Sequence, residues 1–157
     1  MTRDVLVSIT GARFSEYDKE DVEMIVGGDY FWKNEKHYIR YEEVMENSGE
    51  IVKNTIKITP DTMDIMKKGS IQTHMVFRKG KDNVSCYLTP VGELMVGIHT
   101  KDIQIEEKLE SLRVKVEYSL EINYDHIADC SIVVCVRSKA EAAAELEGAV
   151  LEELLLD

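Results

Sequence analysis

Residues 112–122 read Leu-Arg-Val-Lys-Val-Glu-Tyr-Ser-Leu-Glu-Ile. Leu112, Val114, Val116, Tyr118, Leu120 and Ile122 fall on one parity, and Arg113, Lys115, Glu117, Ser119 and Glu121 on the other. A period of two belongs to a strand with one dry face and one wet face. Working outward, the same signature recurs with short turns between. Val5, Val7 and Ile9 open the chain, Val52, Asn54, Ile56 and Ile58 follow, and Cys130, Ile132, Val134 and Val136 close the series. Strand signals spaced about eight to twelve residues apart indicate a sandwich or barrel, not alternating β and α units. We therefore expect an all-β protein, an antiparallel barrel of about eight to ten strands.

Between Val22 and Trp32 the even positions are mostly apolar, and Gly27-Gly28 suggests a bulge or sharp bend there. If Asn34-Glu35 make a two-residue turn, Trp32 pairs with His37 and Tyr30 with Ile39. Cross-strand partners share a face, so Tyr30, Trp32, His37, Ile39 and Tyr41 form one cluster. Leu94, Val96 and Ile98 are even whereas Ile103 and Ile105 are odd, and one extra residue near Thr100 to Asp102 reconciles the parities. Val84, Cys86 and Leu88 read as the apolar side of a hairpin strand. In Thr89-Pro90-Val91-Gly92 a fixed φ beside a permissive glycine reads as a strand corner. The tail changes period. Ser138-Lys139-Ala140-Glu141 fits a capping box, and Ala142, Leu146, Val150 and Leu154 return at helical spacing. The organisation expected is a barrel over residues 1–137 and an amphipathic helix over 138–157.

At 157 residues and 44% hydrophobic content, one domain can support its own core. The formal net charge is −11, and no basic run provides a nucleic-acid footprint, so neither nucleic acid nor an anionic membrane is an expected partner. No uncharged run approaches the ~20 residues of a membrane-spanning helix. The N-terminus carries Arg3 and Asp4 and then alternates, so no secretory signal is expected and a cytoplasmic protein is. Three cysteines, Cys86, Cys130 and Cys135, form no CxxC pair and read as reduced, buried thiols.

Tyr30 to Lys36 (YFWKNEK), Tyr38 to Glu43 (YIRYEE), Met66 to Gly69 (MKKG), Phe77, Tyr87 to Leu94 (YLTPVGEL) with Thr100 eight residues after Gly92, and Val116 to Leu120 (VEYSL) together resemble the YwiB-like β-barrels. These are small uncharacterised bacterial proteins of calycin or lipocalin-like fold. The likeness covers roughly residues 2–137 and implies a calycin-like barrel with a C-terminal helix outside it. It brings no activity. Where the family often has Arg before its mid-chain glycine, this chain has Lys67, which cannot clasp an anion in bidentate fashion.

Chemical signatures are sparse. No GxSxG elbow, P-loop or GxGxxG occurs, no cofactor motif is present, and no His pair stands at metal-ligand spacing. Glu42-Glu43 and Glu106-Glu107 are adjacent strand residues that point to opposite faces, so they read as solvated charge, not as an acid–base pair. Barrels of this size either fill themselves or hold one small ligand. The inward faces offer Tyr30, Trp32, His37, Tyr41, Asn54 and Tyr118, and these are the expected ligand-binding residues. The leading expectation is a non-enzymatic module for a small apolar or amphipathic molecule. Its rival is a protein-protein interaction or homo-oligomerising module whose acidic helix, Ser138 to Asp157, docks on its own barrel mouth or on another chain, because its Leu146, Val150, Leu151, Leu154 and Leu155 are too apolar to leave in water. An enzyme comes third.

Overall fold

The computed structural model describes residues 1, 3–14, 19–46, 48–70, 72–90 and 92–143. Ten antiparallel strands form one sheet: β1 (Asp4–Phe14), β2 (Lys19–Lys33), β3 (Lys36–Val44), β4 (Ile51–Ile58), β5 (Thr62–Lys68), β6 (Thr73–Arg78), β7 (Asp82–Thr89), β8 (Gly92–Glu107), β9 (Ser111–Ile122) and β10 (Asp125–Ser138). Their order is β6-β5-β4-β3-β2-β1-β10-β9-β8-β7, and the sheet curls into a nearly closed barrel with β6 and β7 as its two edges. Every neighbour but one is also a neighbour in sequence, because hairpins are the cheapest way to pair antiparallel strands. The exception is β1 with β10, which brings the two ends of the barrel sequence together.

The expected registers are present. Asn34 and Glu35 take positive φ of 54° and 61°, the twist a two-residue hairpin needs, and Trp32 faces His37 while Tyr30 faces Ile39. The β8–β9 ladder slips by one residue between Thr100 and Asp102. Thr89 and Gly92 pair across the β7–β8 turn, where Gly92 has φ of 124° and the Thr89 hydroxyl donates to its carbonyl at 2.7 Å.

Gly27-Gly28 behaves differently from expectation. The β1–β2 register runs through it without a slip. What changes there is the partner: β2 pairs with β1 over Lys19–Asp29 and with β3 only over Asp29–Lys33. Past this fork β2 and β3 part, and a Cβ on Gly28 would stand 2.7 Å from the Arg40 carbonyl oxygen. Glycine is required because two backbones approach too closely for any side chain.

The inward faces converge on one core. Val5, Val7, Ile39, Ile56, Ile58, Met63, Phe77, Leu112, Val114, Val116, Val134 and Val136 are all essentially inaccessible and belong to a single cluster. Buried apolar side chains from eight different strands, all aliphatic but Tyr41 and Phe77, thus occupy the barrel's centre. This corrects the expectation of an aromatic pocket in the interior: β-branched residues chosen for the strand also fill the space that the strands enclose.

After β10 the chain turns helical over residues 139–143. Ser138 caps it, accepting from the Glu141 amide at 3.2 Å, while its own amide donates to the Glu110 carbonyl, so only half of the capping box forms. Ala142 is buried and Lys139 lies over Gly27, so this first turn packs on its own barrel. The expected continuation of the helix, and the self-association assigned to it, fall on residues 144–157, outside the described residues.

Candidate functional site

The six residues singled out from sequence separate into three places. Tyr30, Trp32 and His37 gather at one rim, where the Tyr30 hydroxyl lies 2.7 Å from His37 Nδ1 and the Trp32 ring meets the imidazole edge-on at 4.7 Å. Trp32 is not inside: it is 57% exposed, because the hairpin end overhangs the rim. Tyr41 and Asn54 form a buried cross-strand pair beside the fork. The Asn54 amide nitrogen reaches the Val52 carbonyl at 3.3 Å, and its Oδ1 has no partner. Tyr118 stands across the barrel against Phe77, ring centroids 5.0 Å apart. Burial raises the Tyr41 and Tyr118 phenols well above their ordinary value, with Glu43 adding to the first and Cys130 and Tyr87 to the second.

Glu107, read from sequence as solvated charge, faces His37 Nε2 at 3.7 Å. Burial nevertheless dominates and lowers the His37 pKa below 6.5, against the upward pull of Glu107. The folded chain thus disfavours the proton that the unfolded chain accepts. Stability is complete above pH 6.5 and declines as pH falls below it. We expect the thermal midpoint of the wild type to drop between pH 7.5 and 5, and the His37→Gln variant to show a shallower drop. Equal slopes in a circular-dichroism series would refute this role.

The other histidines point outward and each meets an aspartate: His74 with Asp64 at 3.2 Å, His126 with Asp129 at 3.3 Å, and His99 with Asp82. Asp129 also accepts from Ser119 and Lys101, and this surface network holds its carboxyl down to about 2. Among the described residues no three His, Cys, Asp or Glu gather to hold a metal ion, and no helix is long and apolar enough to cross a membrane.

The chemically distinctive place is the seam between the sheet's edges. The turn after β6 is stitched to β8: the Gly80 amide donates to the Thr100 carbonyl at 2.9 Å, the Thr100 amide to the Lys81 carbonyl at 3.2 Å, and Lys79 pairs with Asp102 at 3.3 Å. Away from this stitch β6 and β7 do not pair, and a cleft of about 650 Å³ opens between them. Lys67, Lys68 and Ser70 form one lip, Thr73 and His74 the edge of β6, and Ser85, Cys86 and Tyr87 the edge of β7. Volume and mixed lining suit a small ligand. Tyr87 lines this cleft, its hydroxyl is buried without a hydrogen-bond partner among the described residues, and burial raises its pKa. On the neighbouring β8, Thr100 is fully buried and its hydroxyl is likewise unpartnered. Native interiors seldom leave such groups unpaired, since each costs about 1–3 kcal/mol.

Sequence reading missed this site because β7 inverts the usual pattern. Pairing sets Asn83 opposite Ile98, Ser85 opposite Val96 and Tyr87 opposite Leu94, so the odd, polar residues share the inward parity. Val84 and Cys86 point out and are exposed. The expectation that all three cysteines are buried is therefore corrected at Cys86, an edge-strand residue at the cleft. Cys130 is buried and Cys135 partly so. One thiol should react with a maleimide or an aromatic disulfide much faster than the other two, and peptide mapping should place it at Cys86. Uniform labelling of all three would contradict the fold at β7. The available signal was the alternation Asn83, Ser85, Tyr87, Thr89, a polar parity where a closed barrel has an apolar one.

A family model described as a domain of unknown function, DUF1934, matches residues 7–134. The chain belongs to this family. It is 26% identical over 117 residues to the uncharacterised β-barrel protein YwiB of Bacillus subtilis (strain 168), an alignment spanning 73% of this chain and 81% of that protein. The crystal structure of the Bacillus subtilis ywiB protein superposes with a TM-score of 0.74 at 21% identity, covering 87% of this chain and 92% of that one. At that identity the likeness shows the fold: all-β, ten antiparallel strands in a nearly closed barrel.

Proposed function

We propose that this protein is a non-enzymatic binding module that holds one small amphipathic molecule in the seam between β6 and β7. The observation that carries the reading is Tyr87, which lines a cleft of about 650 Å³ and whose hydroxyl is buried without a partner among the described residues. An apolar body would lie against Met66 and the Tyr87 ring, and a polar end would satisfy the hydroxyl. The barrel centre offers no comparable place, being occupied by its own aliphatic residues. Catalysis has less support. The Tyr30–His37–Glu107 alignment has a tyrosine pushed toward its neutral form by burial and Glu107, the wrong direction for a nucleophile.

The test uses 1-anilinonaphthalene-8-sulfonate (ANS), whose fluorescence rises in apolar surroundings. Saturable binding to a single site on the folded chain is expected. Ser85→Trp and Thr73→Trp, which fill the cleft from opposite edges, should each abolish it while leaving the circular-dichroism spectrum unchanged. No saturable binding, or undiminished binding in both variants, would reject the seam as a ligand site.

A further inference from the structure

We infer that the polar end of the seam ligand is an anion: a carboxylate, sulfonate or phosphate on an aromatic or aliphatic body. This rests on the seam reading above and adds the charge of the ligand. The chain is strongly acidic, −11 overall, with 30 Asp and Glu against 19 Lys and Arg. A cleft lined at random would therefore carry carboxylates in excess. Among the described residues that line the seam there is none, while Lys67, Lys68 and His74 are present.

The nearby acids are engaged elsewhere. Glu43, not itself a lining residue, pairs with Lys67 at 3.3 Å, and Glu50, likewise not in the lining, accepts from the Ser70 amide. Asp64 is 7% exposed and pairs with His74 at 3.2 Å and Lys57 at 3.8 Å on the outer face of β5. Lys68 is left with no ion pair to a described residue. The cleft lining thus combines an ammonium with no ion pair to a described residue, the hydroxyl-bearing Ser70 and Thr73, and Tyr87, whose partnerless hydroxyl is an O–H donor in its neutral state. A charged acceptor takes hydrogen bonds from such donors about twice as strongly as a neutral one. An ammonium ligand would find no carboxylate among the described residues of the lining.

Two dyes with the same pair of ring systems decide the matter, ANS, which carries a sulfonate, and N-phenyl-1-naphthylamine, which carries no charge. The uncharged dye is the more hydrophobic, so a merely apolar cleft would prefer it. We expect ANS to bind about ten-fold more tightly or better. Lys68→Gln should remove most of that advantage and leave the affinity for the uncharged dye unchanged. Competition by octanoate but not by octylamine is expected alongside.

If both dyes occupy the seam, as judged by their loss in Ser85→Trp, but bind equally or favour the uncharged one, the anion assignment is wrong and the seam reading survives. An ANS preference untouched by Lys68→Gln also overturns the assignment. If neither dye is displaced by Ser85→Trp, the seam itself is not the site, and the assignment falls with it.

Discussion

Replacing Phe77 with alanine is expected to lower the unfolding free energy by about 3–5 kcal/mol, the range for deleting a fully buried ring. Phe77 has no accessible surface, and its ring meets Tyr118 edge-on across the barrel. It comes from β6, one edge of the sheet, whereas Tyr118 comes from β9 on the far side of the seam. With no backbone ladder between β6 and β7, this contact and the Gly80–Thr100 stitch hold the barrel shut. The substitution removes both the transferred area and the aromatic contact, and it leaves a cavity that the rigid strands cannot collapse. For a chain of this size the thermal midpoint should fall by roughly 10 °C. Chemical denaturation followed by circular dichroism measures it. A loss below about 1 kcal/mol would mean that the seam is not closed by these side chains.

Gly28→Val acts by the opposite mechanism and should cost about 3 kcal/mol or prevent folding. The new Cβ would lie 2.7 Å from the Arg40 carbonyl oxygen, 3.2 Å from Val7 and 3.4 Å from Tyr41. A flexible side chain could give way, but the first obstacle is backbone at the end of the β2–β3 ladder. Gly11→Ala is the control. A Cβ there meets nothing within 4 Å, so its midpoint should stay within a degree or two of the wild type. If Gly28→Val were equally silent, the fork between β2 and β3 would be wider than the structure shows. Because Tyr41 and Asn54 line the same fork, moderate destabilisation should also expose them, detectable as faster amide exchange on β3 and β4 than on β9.

Much of this architecture is written locally. The alternation through Leu112–Ile122 names an inward face, on which Leu112, Val114 and Val116 are buried and Tyr118, Leu120 and Ile122 half-buried. Asn34-Glu35 sets the β2–β3 register through a turn, a contact between near neighbours in the chain. The one-residue slip near Thr100 is forced because apolar residues on two parities must reach the same side. Each of these follows from side-chain direction alternating along an extended backbone. Trp32 shows where that logic stops. Its parity and partner are as expected, yet it stands outside because its level along the barrel, not its face, decides exposure.

The residues alone therefore dictated strand content, hairpin registers and the aliphatic part of the core outside β7, since hydrophobic burial acts on patterns only a few residues long. Which strands became edges was decided in three dimensions. Closure depends on the summed twist and stagger of ten strands, a property no single segment carries. That global mismatch leaves β6 and β7 unpaired and turns the polar parity of β7 toward the interior side of the seam. It also assembles Lys68 with Tyr87, residues that only the folded sheet brings to one cleft.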